Sequence, residues 1–433
     1  MSITNFKPYL IVNTVGKIIK KNNINCYKLT IQSIVTGLAL LSIVILPGLA
    51  MIIFDASSHS PGMLLSLIII FCIGLTTRIN FLRLIPALKT IALIMSLVLS
   101  LGVNSYFRYR AFDINRFIQA YIYLLFYLVC ATIVKQIADR SPNNCIDFGV
   151  KLVFYVVFTC IMLTIYGFGN VLVQGGEFHR PSVLFLEPSH IAGSFSPFLL
   201  YLCTFSSPKK KALLLVLALA SCILIENATL LFSCILVAVL TLPFGAILLV
   251  ICVASLYLSL NPEYLLYYTS RLDIMNPSNG SLVLYLSGWE RSYLSFIDSY
   301  GLGIGFQQFG IIGSRGDILM DLDLSVQEIT LLGGSSVAMK FIAEFGVFGL
   351  FIIFWYLFHC AKSAIWFRSI SLGGQTIYSA NMVFLKACFV FYFVDLFVRG
   401  TGYFSSTTFL FTVSALWIRY NSTYCSSQIQ QKN

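Results

Sequence analysis

The chain has 433 residues, 58% of them hydrophobic and 10% charged, and its mean hydropathy is +0.87. Such a composition excludes a soluble globular domain and marks a polytopic membrane protein. The formal charge of +11 reads as an insertion and anionic-lipid signature, so no nucleic-acid partner is expected.

Crossing a hydrocarbon core of about 30 Å takes roughly 20 apolar residues in a helix, the form that satisfies its own backbone hydrogen bonds in lipid. Residues 1–30 carry Lys7, Lys17, Lys20, Lys21 and Lys28 without the short apolar core and cleavage site of a signal peptide. A retained, basic, cytoplasmic N-terminal segment is expected there. About twelve apolar runs follow, at 31–54, 61–77, 84–103, 117–136, 148–168, 191–206, 212–225, 229–242, 245–260, 336–358, 376–398 and 401–418. The expected fold is an all-α polytopic integral membrane protein of about twelve transmembrane helices, nine in 31–260 and three in 336–418, ending in a tail over 419–433.

Lysine and arginine stay cytoplasmic during insertion. An inside N-terminus puts the lysines above, Arg78, Arg83, the "KQIADR" loop, the "PKKK" run at 208–211, Lys362, Arg368 and Arg419 on the cytoplasmic side. Both termini are then cytoplasmic, and the opposite side keeps mainly scattered arginines. Most of the twelve cysteines fall within or beside the apolar runs, with no CxxC; they read as small apolar packers, and neither a disulfide nor a metal site is expected.

Two outside segments exceed what a turn requires, 169–190 and 261–335, and function is expected in them. The first ends in "RPSVLFLEPSH", residues 180–190, which sets Arg180, Glu187 and His190 between apolar runs. Glu187 and His190, three residues apart, share a face if a helix begins near Glu187. The competing reading is simple capping of that helix by Glu187 and Ser189.

In the second segment, "YLSGWERSYLSFIDSY" places Tyr285, Trp289, Tyr293, Phe296 and Tyr300 on one helical stripe, with Ser287, Arg291, Ser295 and Asp298 opposite. The stripe suits an interfacial helix resting its aromatics on lipid or on the bundle. Arg291 would then sit on a solvated face or point into a cavity. "GLGIGFQQFG", 301–310, has neither the preceding strand nor the GKS/T of a nucleotide loop, so a tight turn is expected. Asp321 and Asp323 form a D-x-D, more readily a solvated acidic loop than a Mg²⁺ site. Glu344, inside the run 336–358, needs a partner, and Lys340 one turn earlier is the expected one. Lys386 and Asp395 raise the same question in the eleventh run.

Three stretches together carry a resemblance. "RPSVLFLEPSHIAGSFSPFLLYL", "RSYLSFIDSYGLGIGFQQFG" and "SVAMKFIAEFGVFGL", in this order within a twelve-helix frame, resemble the bacterial O-antigen and capsular polysaccharide polymerases of the Wzy type, which are related to the O-antigen ligases. The chain departs from many relatives at 333–336, where "GGSS" stands in place of a histidine or asparagine, and in its arginine-to-glycine spacing after Arg291.

The resemblance implies a GT-C-like glycosyltransferase of the bacterial inner membrane with two large periplasmic loops containing interfacial helices. It implies transfer of a growing glycan from undecaprenyl pyrophosphate to a sugar hydroxyl of another lipid-linked repeat unit, without a cofactor. A chain-length regulator and a flippase of the same pathway are the implied protein partners. On this reading Arg180 and Arg291 hold the pyrophosphate, because a guanidinium fork matches phosphate oxygens without titrating. Glu187 is the first candidate for the catalytic base that takes the hydroxyl proton and His190 the second, while Trp289, Tyr293 and Glu344 position substrate. An O-antigen ligase, another lipid-linked glycan transferase, and a transporter or flippase are the alternatives. The polar residues gather in two outside loops rather than at the bilayer midplane, which favours surface chemistry over passage.

Overall fold

The computed structural model describes residues 32–54, 56, 58–76, 85–168, 182–185, 187–271, 273, 280–320, 336–373, 378–400 and 402–430. Among these residues the chain is helical, with only two isolated bridges, Ser182–Phe185 and Phe309–Ile312. Among the described residues six helices are long and apolar enough to cross a membrane: Gln32–Ile53 (α1), Ile85–Arg108 (α3), Ile114–Arg140 (α4), Asn143–Ile165 (α5), Val347–Leu372 (α13) and Ala380–Val398 (α14, closing in a π-turn over Val394–Val398). The protein is an all-α polytopic membrane protein.

Shorter apolar helices fill most of the remaining predicted runs, Ser60–Thr76 (α2), Pro188–Phe205 (α6), Pro208–Leu224 (α7), Ala228–Thr241 (α8) and Phe244–Leu260 (α9), and the longer but less apolar helix Ser406–Gln430 (α15) covers the last. A further helix, Pro262–Ser270 (α10), meets the Phe244–Tyr257 stretch at 111°. Pro262 explains the break, since it has no N–H to continue the ladder and disfavours helix in the residue before it.

Helix α6 is the hub. Its residues Phe198, Leu199 and Leu200 are fully buried, as expected of a helix apolar on every side, and it packs against α5, α8 and α14. The loops sort onto two ends of this bundle. At one end Arg368 donates to the carbonyls of Val239 and Leu242, Lys211 to Thr241 O, Ala380 N–H to Asn143 and Asn381 to Ala138 O. At the other, Arg108 donates to Asp298 O and Ser299 O, Asp113 N–H to Gln308, and Tyr123 to Ser60 O, while His59 lies against His190.

One expectation is corrected. The run 336–358 is not one helix: it breaks at Gly346 into Val337–Phe345 (α12) and α13. Gly346 has φ +56°, and a Cβ there would fall on the Gly301 carbonyl, so the helix stops where another backbone crosses it. Lys340 and Glu344 therefore lie on a short helix ahead of the span. In the helix Gly280–Asp298 (α11) the face that carries Arg291 is the packed one, one of the two arrangements the sequence left open. Ser287, Gly288, Arg291, Ser292 and Ser295 are buried, whereas Tyr293 and Tyr300 are exposed. Small and polar residues permit close approach to α12, where Ser292 donates to Met339 O at 2.9 Å, and of the aromatic stripe Tyr293 and Tyr300 are left outward.

Candidate functional site

The loop end near α6 and α11 assembles most of the singled-out residues, starting from backbone. After α11 the chain makes consecutive glycine turns, with positive φ at Gly301, Gly303 and Gly305. Ile304 N–H donates to Ala343 O at 2.9 Å, Gly305 N–H to Glu344 O at 3.1 Å, and Val347 N–H to Gly301 O at 2.8 Å. The "GLGIG" and "AEFG" stretches thus dock backbone to backbone, which explains the glycines without any phosphate. The Glu344 side chain completes the dock by accepting Phe309 N–H at 3.2 Å.

Glu344 is 1% exposed, and burial pushes its carboxyl above the ordinary range, against the opposing pull of Lys340, Phe309 N–H and the Tyr403 hydroxyl. The expected partnership with Lys340 acts through the field rather than through contact. Among the described residues the ion pairs are Lys135–Asp139, Lys151–Asp147 and Glu187–Arg399. Burial lowers the Lys340 ammonium; Glu344 raises it, while Arg116 and Arg291 lower it further. Lys386 stacks on the Trp366 ring, 3.9 Å from its centroid, and Asp395 accepts from Thr407 at 2.8 Å and Thr408 at 3.2 Å.

Arg291 points inward. It is 3% exposed and stacks 4.3 Å from the Phe309 centroid, so the solvated-face reading does not hold. It forms the floor of a cavity of about 170 Å³ whose far wall is the 309–315 loop, with Arg315 at the exposed rim. Burial, and then the charge of Arg315, lower the Arg291 guanidinium to about 10, which still leaves it protonated at neutral pH.

Glu187 stands at the start of α6 but does not cap it. Its Oε2 instead takes Arg399 Nη2 at 2.8 Å and Ser189 Oγ at 2.9 Å. Burial alone would raise this carboxyl; Arg399, His190 and the Ser189 hydrogen bond outweigh it and hold the group below its ordinary value. His190 is a neighbour, as the spacing suggested. Its ring meets that of His59 edge-on at 4.7 Å, and both line a void of about 10 Å³ with Ser194, Ser405, Ser406 and Thr407. Burial brings His59 down to about 4, although the Pro47 carbonyl and Glu187 oppose that, so the ring is neutral at pH 7. Among the described residues its Nε2 has no hydrogen-bond partner.

The two groups adjoin through α12. Gly400, next to Arg399, packs on Ser336 and Val337, and Tyr285 donates to Phe397 O at 2.8 Å. Trp289 packs against the main core, while Tyr293 is exposed. Arg180, Asp321 and Asp323 lie outside the described residues. The sequence reading missed Arg399, Arg315, His59 and Tyr403. Arg399 carried a usable signal, a lone arginine at the junction of two apolar runs; His59 and Tyr403 carried none. No protein-family model, curated protein or solved structure matches the chain.

Proposed function

We propose that the protein is a polysaccharide polymerase of the Wzy type. It would lie in the bacterial inner membrane with about twelve spans, both termini cytoplasmic, and 169–190 and 261–335 on the periplasmic face. The single observation that best supports this reading is the neighbourhood of two unlike groups at one loop end: a buried arginine flooring a cavity, and an ionised Glu187 beside Arg399 and His190. The first suits a diphosphate leaving group, the second a hydroxyl nucleophile.

In the reaction, the bond between the anomeric carbon of the donor glycan and the lipid diphosphate oxygen breaks. A glycosidic bond forms to the acceptor hydroxyl, whose proton passes to Glu187 with His190 as its neighbour, and the electron pair leaves on the diphosphate. Arg180 and Arg291 balance the charge that develops there. The ionised state of Glu187 leaves it free to accept a proton, and its carboxylate also offsets positive charge at the anomeric carbon. Undecaprenyl-pyrophosphate-linked repeat units are the substrates, and a flippase and a chain-length regulator are the pathway partners.

The loop 261–335 holds eight acids against three arginines, a formal charge of −5. Such a charge disfavours the anionic lipid A core that a ligase must receive. The test is a deletion in an O-antigen producer. A polymerase deletion leaves a single repeat unit on the lipid A core and removes the ladder of longer chains. A core without any repeat unit, with polymer accumulating on the polyprenyl carrier, would identify a ligase and refute the proposal.

A further inference from the structure

His59 is held from behind and left without a donor in front. It stands at the start of α2, where its carbonyl accepts Met63 N–H at 3.0 Å, and it is 8% exposed. The Pro47 carbonyl takes a hydrogen bond from the ring, and Nε2 is the ring nitrogen that has no partner among the described residues. A neutral imidazole carries one N–H and one lone pair, so the proton sits on Nδ1, against Pro47, and Nε2 presents the lone pair. The ring lines the void shared with His190, Ser194 and the turn at 405–407. Hydroxyls in that wall are committed elsewhere: Thr407 donates to Asp395 Oδ2 at 2.8 Å, and Ser405 is engaged with Thr407 and Thr408, each at 3.0 Å. A buried acceptor without a donor is costly. A void of about 10 Å³ has room for one water and nothing larger.

We propose that this void binds one water, and that through it His59 acts as a positioning residue for His190. The water donates to His59 Nε2 and accepts a ring N–H of His190, whose ring meets His59 edge-on at 4.7 Å. The Ser194 and Ser406 hydroxyls, in the same wall, complete the roughly three partners that a buried water takes. A hydrogen bond accepted from His190 favours its charged form. A charged His190 in turn helps to hold Glu187 ionised, the state in which that carboxylate can take a proton. The inference rests on the polymerase reading only for the role of Glu187 and His190; the water site and its effect on His190 do not depend on it. Among the described residues the charged groups on this side are Glu187, with Arg399 bound to it, and Asp395 behind Thr407. The α1 wall of the void, Val44 and Gly48, adds none.

The test uses the full-length protein in detergent micelles, with isotope-labelled histidine rings followed by NMR as pH is varied. The chain has four histidines, so each signal can be assigned by substitution. His59→Phe keeps an aromatic edge against His190 and removes the acceptor, whereas His59→Gln keeps an acceptor near the place of Nε2. The His190 titration should move to lower pH by about 0.5 or more in His59→Phe, the scale of one hydrogen bond to the charged form, and stay near wild type in His59→Gln. Ser194→Val fills the void with both histidines in place and should give the same downward move; it carries the test if His59→Phe does not fold. An unchanged His190 titration in His59→Phe or Ser194→Val, or equal movement in His59→Phe and His59→Gln, overturns the proposal. Polymer formation from lipid-linked repeat units is the second readout, and its pH profile should follow the His190 titration in the same variants. A profile that stays put while the titration moves overturns the positioning role. If the titrations behave as expected yet a deletion strain keeps its full ladder, the polymerase reading fails by itself.

Discussion

The backbone dock between the glycine turn and the start of α13 makes the sharpest prediction. In Gly303→Ala the new methyl carbon would lie 2.6 Å from the Glu344 carbonyl carbon and 2.8 Å from Gly346 N. Both neighbours are main chain, so no rotamer change relieves the contact. Gly303 also has φ +84°, a conformation that costs an L-residue about 1–2 kcal/mol. Overpacking adds about 1–3 kcal/mol, for a total of about 2–5 kcal/mol. Gly402 is the control: its φ is +95°, and nothing lies within 4 Å of a Cβ, so Gly402→Ala should show the strain alone, about 1–2 kcal/mol. The assay is thermal unfolding of the purified protein followed by tryptophan fluorescence, alongside the length of the glycan ladder in cells. Gly303→Ala should melt well below Gly402→Ala and lose the ladder, because Phe309 and the Arg291 cavity hang from the same dock. Equal melting shifts in the two variants would refute the argument.

Arg399→Ala frees Glu187 from a pair in which each side chain is less than a third exposed, 29% and 28%; the loss should be about 1–2 kcal/mol at pH 7, between the exposed and buried limits. The Glu187 value is depressed in the folded state, so the pair stabilises above the unfolded carboxylate value and that contribution disappears as pH falls through the folded one. The melting gap between wild type and Arg399→Ala should therefore narrow from pH 7 to pH 4, and a constant gap would count against the pairing. For topology, cysteines placed at Ser314 and Lys210 in a cysteine-free variant should differ in whole cells. An impermeant maleimide should label the first and spare the second, and the opposite pattern would invert the orientation.

The helix positions were legible because lipid imposes long apolar runs whose ends need polar residues. The run 148–168 appears as Asn143–Ile165 and the run 229–242 as Ala228–Thr241, differences of a few residues set by caps such as Asn227, which accepts Leu230 N–H. The break at Gly346 was not legible, because "AEFGVFGL" carries no proline and the break comes from a partner backbone some forty residues earlier in the chain. Which face of α11 is buried was left open for a different reason. Amphipathic periodicity finds the two faces of a helix but not which one turns inward, and beside a membrane the small polar face can be the packed one. Glu187 and His190 were found together because they are three residues apart; Arg399, 212 residues from Glu187, could join them only through the fold.

The π-turn at the end of α14 has a consequence for how such an end can evolve. Arg399 N–H bonds Val394 O at 2.9 Å, five residues back where an α-helix would use four, so the turn holds one extra residue. Each residue advances a helix by about 100°. Deleting any one of Val394 to Val398 would swing Arg399 away from Glu187 by that angle while leaving the rest of the helix in register. A single codon gained or lost therefore suffices to make or abolish the Glu187–Arg399 pairing, with the helix up to Phe393 keeping its register.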